Sequence, residues 1–165
     1  MPATLHHAHS AQIHSAPSAF ARSTRESGAA DDAVEVSCPA TADQLPVLRA
    51  IATSIALRAD ADLDLVADLR LAVDEACSAL VRAAGAGESL HCRFIKHPDA
   101  VEVVVAVWAP SPPSADDALG VLLLTSLTDR IAAETQVVDD GFELRTSLLV
   151  RVRSGASLPV EEARS

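Results

Sequence analysis

Residues 66–84 hold the side chains whose types and spacing are best suited to chemistry. Apolar residues recur there every three or four positions and form one stripe, which predicts a helix with one buried face. Glu75 and Ala79 fall on the far side of that helix, one turn apart. A carboxylate acts as a general base when a substrate lies within hydrogen-bond reach. Any chemistry on this helix should therefore involve Glu75, and the alternative is a solvated charge that pairs with its helix neighbours.

The rest of the chain predicts the elements that would support this helix. Runs rich in Val, Ile and Phe predict β-strands, and these are residues 34–38, 89–95, 100–108, 135–138 and 142–152. Two further segments with apolar residues at helical spacing predict helices, one starting near Asp43 and one over residues 116–131. The last two strands should form a hairpin around Asp139-Asp140-Gly141. Hairpin-joined strands with interspersed helices imply an α+β fold. We expect a two-layer sandwich of a mixed, mostly antiparallel sheet with helices on one face.

Both ends of the chain differ in composition from its middle. Residues 1–33 are rich in Ala, Ser and His without an apolar period, and predict a disordered arm. The histidines of this arm have no scaffold to fix their geometry, so a solvated tail is favoured over a metal site. Residues 34–153 form the expected folded domain, and residues 154–165 a flexible tail.

Composition excludes several classes of function. The formal net charge of −10 argues against a nucleic-acid partner, because phosphate binding requires a concentrated basic surface. The chain has 3 cysteines and no CxxC pair, so neither a disulfide framework nor a zinc site is predicted. Neither a membrane span nor a signal peptide is visible. The expected protein is soluble and cytoplasmic, without a metal centre.

Leu71, Glu75 and Ala79 give the helix a family resemblance. Their spacing is similar to the L-x-x-x-E-x-x-x-N box of the RsbW-type branch of the GHKL superfamily, anti-sigma factors that are also serine-protein kinases. The resemblance implies that Glu75 is a general base toward a target serine. At the position of Ala79 the family has an Asn, whose oxygen binds the Mg²⁺ that bridges the ATP phosphates. Because magnesium requires oxygen ligands, the methyl group of Ala79 implies that this anchor is lost.

Two further nucleotide boxes of the family compare differently with this chain. The family's Asp-x-Gly-x-Gly box, whose Asp binds the adenine amino group, corresponds to residues 106–113, which contain neither Asp nor Gly. The helix that opens on a glycine is better kept, in residues 119–131. Gly120 would then lie near the phosphates of a nucleotide, or would only begin a helix. No cofactor is therefore expected, although family resemblance leaves ATP and Mg²⁺ possible. Trp108 could stack on a base, but burial of its ring at the strand end and against the neighbouring helix is favoured.

The resemblance also implies partners. Arg49 aligns with an arginine that the family uses to contact its sigma factor, and its alternative interpretation is an exposed helix residue. The implied function is an anti-sigma factor, most similar to those of actinobacteria. Such a protein sequesters an alternative RNA polymerase sigma factor and is released by an anti-anti-sigma protein of the STAS type. Homodimers are common in the family.

Two alternatives stay open at this point. One is an active ATP-dependent serine kinase that phosphorylates the anti-anti-sigma protein, with Glu75 as base and Gly120 near the phosphates. The altered positions, Ala79 and residues 106–113, favour weak or no kinase activity. The other is a nucleotide-free dimerisation or scaffold module in which the same helix is only part of the core.

Overall fold

The fold is described from a computed structural model that covers residues 32–113 and 118–152. In chain order its elements are β1 (Ala33–Pro39), α1 (Leu45–Arg58), α2 (Leu63–Ala83), β2 (Ser89–Lys96), β3 (Ala100–Ala109), α3 (Ala118–Leu127), β4 (Arg130–Val138) and β5 (Gly141–Arg151). The predicted arm lies outside this description except for its last two residues, and the predicted tail lies outside it entirely. No helix in the two ranges is both long and apolar enough to cross a membrane.

The described strands form one sheet with the order β1-β2-β3-β5-β4, and every neighbouring pair is antiparallel. Successive side chains of a strand point to opposite faces of the sheet. On β3, Val103, Val105 and Val107 belong to the core that the helices cover, so all three helices pack on one face. The predicted α+β sandwich is confirmed. The sheet is wholly antiparallel among the described strands rather than mixed.

The predicted apolar stripe of α2 packs onto this sheet. Its side chains Leu69, Val73, Cys77 and Leu80 are buried. Cys77 is a small core residue, as its place on the stripe predicts. A hydrogen bond with Cys92, together with burial, raises the pKa of the Cys77 thiol well above its usual value. The thiol therefore stays protonated and inert.

The predicted hairpin at Asp139-Asp140-Gly141 is confirmed, with two residues between the paired Val138 and Gly141. Asp139 has φ +39°, in the left-handed region that such tight turns require. The strand before the hairpin is longer than predicted, because β4 begins at Arg130 and not at residue 135. Helix α3 correspondingly ends at Leu127, whereas the sequence pattern predicted a helix as far as residue 131.

Asp129 explains this early change from helix to strand. Its backbone N–H donates to the Leu149 carbonyl at 2.9 Å, and its carboxylate accepts from the Arg151 backbone N–H at 2.7 Å. The Asp129 side chain thus takes the place of a strand carbonyl beside the last residue of β5. These two bonds hold the chain against the sheet edge where the apolar spacing alone would have continued the helix.

We expect Asp129→Ala to reduce the free energy of unfolding by about 1 kcal/mol, since one hydrogen bond from a backbone N–H to a carboxylate is lost. Urea denaturation followed by circular dichroism measures this change. Amide exchange at Arg151 should also become faster, because its N–H donates to Asp129 in the wild-type chain. Asp140→Ala, at an exposed hairpin position, is the matched control and should leave Arg151 protected. Equal exchange in both variants would contradict the assignment.

Candidate functional site

Helix α2 is the platform of the candidate site. It begins after Asp62, whose carboxylate caps the helix by accepting from the Leu65 backbone N–H at 2.8 Å. The helix continues for 21 residues and ends at Ala83, shortly before Gly85. Because its buried stripe is packed on the sheet, the remaining side chains of α2 are held in fixed directions toward its outer surface and its two flanks.

Glu75 and Ala79 are half-buried on α2, and Gly120 is buried on α3. Since α2 and α3 pack against each other, the structure brings the three predicted nucleotide-site positions onto adjoining helices. The Glu75 carboxylate makes no hydrogen bond or ion pair with any residue in the described ranges. Ala79 offers only a methyl group. Of the polar groups that a nucleotide site would need, these three positions supply only the carboxylate of Glu75.

The sheet end beside the C-terminal part of α2 is apolar. The Gly85 N–H donates to the Trp108 carbonyl at 3.2 Å and ties the end of this helix to the end of β3. The last helix-facing side chains of β3 are Val107, 1% exposed, and Ala109, 0% exposed. On the neighbouring strand Leu144 is buried in the same core. On the helix side, a nucleobase amino group would therefore meet apolar side chains, and not a carboxylate, at these strand ends.

Trp108 lies on the other face of the sheet, because strand side chains alternate and both of its neighbours face the helices. Its ring packs against Gly85 and Gly141. It is therefore not placed to stack on a base between the helices. Trp108 is half-buried at the strand end, and its ring lies against these two glycines.

The residues present do not fit Mg²⁺-ATP in the way the family resemblance implies. Within the two described ranges, no group of three or more His, Cys, Asp or Glu side chains is arranged to hold a metal ion. Ala79 cannot supply an oxygen ligand, and the helix-facing ends of the strands are apolar.

Arg49 lies on the other flank of α2 from this region. Its Nη1 donates to Asp74 Oδ1 of α2 at 2.9 Å, across 25 residues of sequence. The ion pair is accessible, since 39% of the Arg49 side chain and 27% of the Asp74 side chain are exposed. Leu71, one turn before Glu75, is also exposed, by 45%. Arg49 therefore borders an accessible surface and is not buried in the core.

Asp74 is the site residue that the sequence did not indicate. It neighbours Glu75 in the chain, but it points toward α1 and fixes Arg49. A charge pair between two helices carries no local sequence signal, because the i and i+4 rule concerns residues of one helix. The packing of α1 against α2 was needed to place these two charges together.

An antiparallel sheet with helices packed on one face, one of which carries Glu75, is the architecture of a known class of domain. The chain belongs to the histidine kinase-like ATPase domain family, whose model matches residues 38–147. Among curated relatives, the anti-sigma-F factor RsbW is represented by the proteins of two Mycobacterium tuberculosis strains, CDC 1551 / Oshkosh and ATCC 25618 / H37Rv. Each is 43% identical over 77 residues, which span 47% of this chain and 45% of the relative.

A solved structure shows the same fold. The RsbU and RsbW domains of Rv1364c from Mycobacterium tuberculosis superpose with a TM-score of 0.53 at 15% sequence identity. The superposition covers 73% of this chain and 32% of that one. At this identity the likeness concerns the fold alone. The matched region also spans less than half the length of the curated relatives, so the whole-protein activity of those relatives is not transferred with it.

Proposed function

We propose that this protein is an anti-sigma factor that sequesters an alternative sigma factor and thereby blocks its use by RNA polymerase. The observation that carries the proposal is the 43% identity to the anti-sigma-F factor RsbW. The chain also belongs to the histidine kinase-like ATPase domain family and has the fold of a solved structure that contains an RsbW domain. The proposal concerns binding, and nucleotide is not required for it.

The geometry supports binding over phosphorylation. Ala79, Val107 and Ala109 place apolar groups where the family resemblance implies polar anchors for a nucleotide. By contrast, Arg49 is kept on an accessible surface with its guanidinium held in position by Asp74. Arginine is enriched among the residues that dominate protein–protein binding energies. The accessible surface around Arg49 therefore suits a protein partner better than the apolar strand ends suit ATP.

The test is isothermal titration of the full chain against each purified sigma factor of the source organism, without nucleotide. We expect a stable complex with one alternative sigma factor and no heat of binding with the housekeeping sigma factor, which is the specificity control. The absence of binding to every sigma factor would overturn the proposal. Binding that appears only after Mg²⁺-ATP is added would overturn its nucleotide-free form.

Release by an anti-anti-sigma protein of the STAS type completes the proposed cycle. Titrating such a protein into the preformed complex should free the sigma factor, as followed by size-exclusion chromatography. Size-exclusion chromatography coupled to light scattering should give the mass of a homodimer for the free chain. This cycle places the protein in the cytoplasm, where RNA polymerase acts.

A serine-kinase activity is the second candidate, and the Glu75 carboxylate favours it. This half-buried group has no bonding partner within the described residues, so it is free to accept a proton from a hydroxyl. The assay is transfer of labelled phosphate from ATP to a serine of the anti-anti-sigma protein. Transfer that is abolished by Glu75→Gln would establish this activity, whereas the absence of transfer by the wild type would exclude it.

We expect Mg²⁺-ATP to leave the melting temperature of the wild-type chain unchanged, because a ligand stabilises a protein only when it binds the native state. Thermal denaturation at millimolar Mg²⁺-ATP measures this. Ala79→Asn adds back one metal ligand. We expect the melting temperature of this variant to be equally insensitive to Mg²⁺-ATP, because the buried side chains Val107 and Ala109 at the end of β3 still offer no acceptor for an adenine amino group. A rise in melting temperature of the wild type would contradict this expectation and favour the kinase.

A further inference from the structure

Strand β4 forms one edge of the described sheet, and its outer side is open. It pairs with β5 through nine residues in continuous register, and no second described strand lies beside it. Its side chains are mostly exposed on both faces of the sheet, and Val137 is 74% exposed. An edge strand presents a row of N–H and C=O groups that can pair with another strand. The outer side of β4 is therefore suited to receive a further strand.

The sequence of β4 carries few of the features that keep edge strands unpaired. Such features are proline, lysine, a β-bulge or a very short strand. Residues 130–138 contain neither proline nor lysine, and their register with β5 has no bulge. The opposite edge of the described sheet differs, because β1 ends at Pro39, which has no N–H to donate. Of the two edges, β4 is the one better suited to pairing.

The two charged side chains of β4 have opposite signs and lie on one face of the sheet. Ile131 packs against the core on the helix side. Since side chains of a strand alternate, Arg130, Ala132 and Glu134 point to the other face. Arg130 and Glu134 are exposed, and neither makes a side-chain hydrogen bond or ion pair within residues 32–113 and 118–152. The edge strand thus presents one cation and one anion that have no partner in this part of the chain.

We infer that two copies of this chain join through their β4 strands, which pair antiparallel about a two-fold axis at Ala132. The inference rests on the proposed homodimer and assigns its interface. An axis at Ala132 places Arg130 of each copy opposite Glu134 of the other, and opposite charges in such positions stabilise an antiparallel pair. On the helix side, Ile131 then lies opposite Ala133 of the second copy. The two five-stranded sheets become one continuous sheet.

The charges select this register over its alternatives. Residues that lie opposite each other in an antiparallel pair share a face, so the two-fold axis must pass through a residue position. An axis at Glu134 places two carboxylates opposite each other, which is destabilising. An axis at Ala133 gives neither charge an oppositely charged neighbour. Among positions 131–137, only Ala132 brings Arg130 opposite Glu134.

Charge reversal tests this pairing, with sedimentation equilibrium of the full chain as the measurement. Arg130→Glu and Glu134→Arg each replace both ion pairs of the dimer by like-charge contacts, because the axis repeats every change. We expect either variant to weaken dimerisation by about 10-fold or more. The double variant restores opposite signs and should return to within about 3-fold of the wild type. Arg70→Glu, which reverses an exposed charge on α2, is the matched control and should dimerise like the wild type.

Cross-linking locates the axis independently of charge. In the inferred register the two copies of Ala132 are directly opposite, so their Cα atoms lie within about 5.5 Å, a distance that a disulfide spans. Ala132→Cys should therefore give a covalent dimer on mild oxidation. Gln136→Cys, on the same face of β4, is the matched control, because its two copies would be more than about 20 Å apart. The wild-type chain controls for its own free cysteines, Cys38, Cys77 and Cys92.

The outcomes separate this interface from the binding of a sigma factor. A wild type that stays monomeric overturns the inference, as does a dimer whose affinity is not restored by the double charge variant. Cross-linking of Gln136→Cys but not of Ala132→Cys also overturns it. If a charge reversal prevents folding, as seen by circular dichroism, the cross-linking result decides. Titration of the wild type with sigma factors is a separate measurement, and its failure overturns the anti-sigma proposal while the β4 interface stands.

Discussion

Replacing Gly141 by alanine should reduce the free energy of unfolding by about 2 kcal/mol, because the added methyl group would overlap the ring of Trp108. A Cβ on Gly141 would meet Cε2 and Cζ2 of that ring, and a Cβ on Gly85 would lie 2.5 Å from Cζ3. The two glycines thus approach opposite edges of the six-membered ring. A ring confined in this way cannot move from one contact without tightening the other.

The control for this prediction is Gly87→Ala. Gly87 has φ +79° and no heavy atom within 4 Å of a built Cβ, so its substitution adds backbone strain without a clash. That strain should cost about 1 kcal/mol. In a Trp108→Leu background, the cost of Gly141→Ala should largely disappear while that of Gly87→Ala persists. Circular dichroism during urea denaturation measures all four differences, and an unchanged Gly141→Ala cost in that background would refute the steric explanation.

Most helices and strands of this fold could be predicted from the local pattern of the sequence. The apolar stripe of α2 and the Asp139-Asp140-Gly141 turn both appear where the sequence predicted them, since each depends on residues that are close in the chain. The boundary between α3 and β4 was not readable. Apolar residues continue through Ile131, and the strand begins earlier than predicted because Asp129 bonds to Leu149 and Arg151 of β5, 20 and 22 residues further along the chain.

The candidate site could be predicted from the sequence only in part, because some of its contacts join residues that are far apart in the chain. The sequence alone shows that a metal ligand is missing at Ala79, because this depends only on the chemistry of the side chain. The pairing of Arg49 with Asp74 joins residues 25 apart, and their meeting depends on how α1 packs against α2. Trp108 shows the same limit, because the sequence placed its ring at a strand end but not on the face away from the helices.

Arg49→Ala should weaken binding of the proposed sigma partner by about 30-fold, which corresponds to about 2 kcal/mol, the usual threshold for a dominant interface residue. The free energy of unfolding should change by less than about 1 kcal/mol, because a solvent-accessible ion pair contributes little to stability. The guanidinium is already ordered by Asp74, so it is presented to a partner with part of its conformational freedom lost beforehand. Titration calorimetry and urea denaturation measure the two effects separately.

Asp74→Asn distinguishes a direct contact from an effect on the helices. This variant removes the charge that holds Arg49 but keeps the accessible Arg49 guanidinium. If Arg49 contacts the partner, binding by Asp74→Asn should stay within a few-fold of the wild type, because the lost preorganisation is partly offset by a guanidinium that no longer has to be shared. If Asp74→Asn loses as much affinity as Arg49→Ala, the ion pair serves only to fix α1 against α2, and the contact role of Arg49 is refuted.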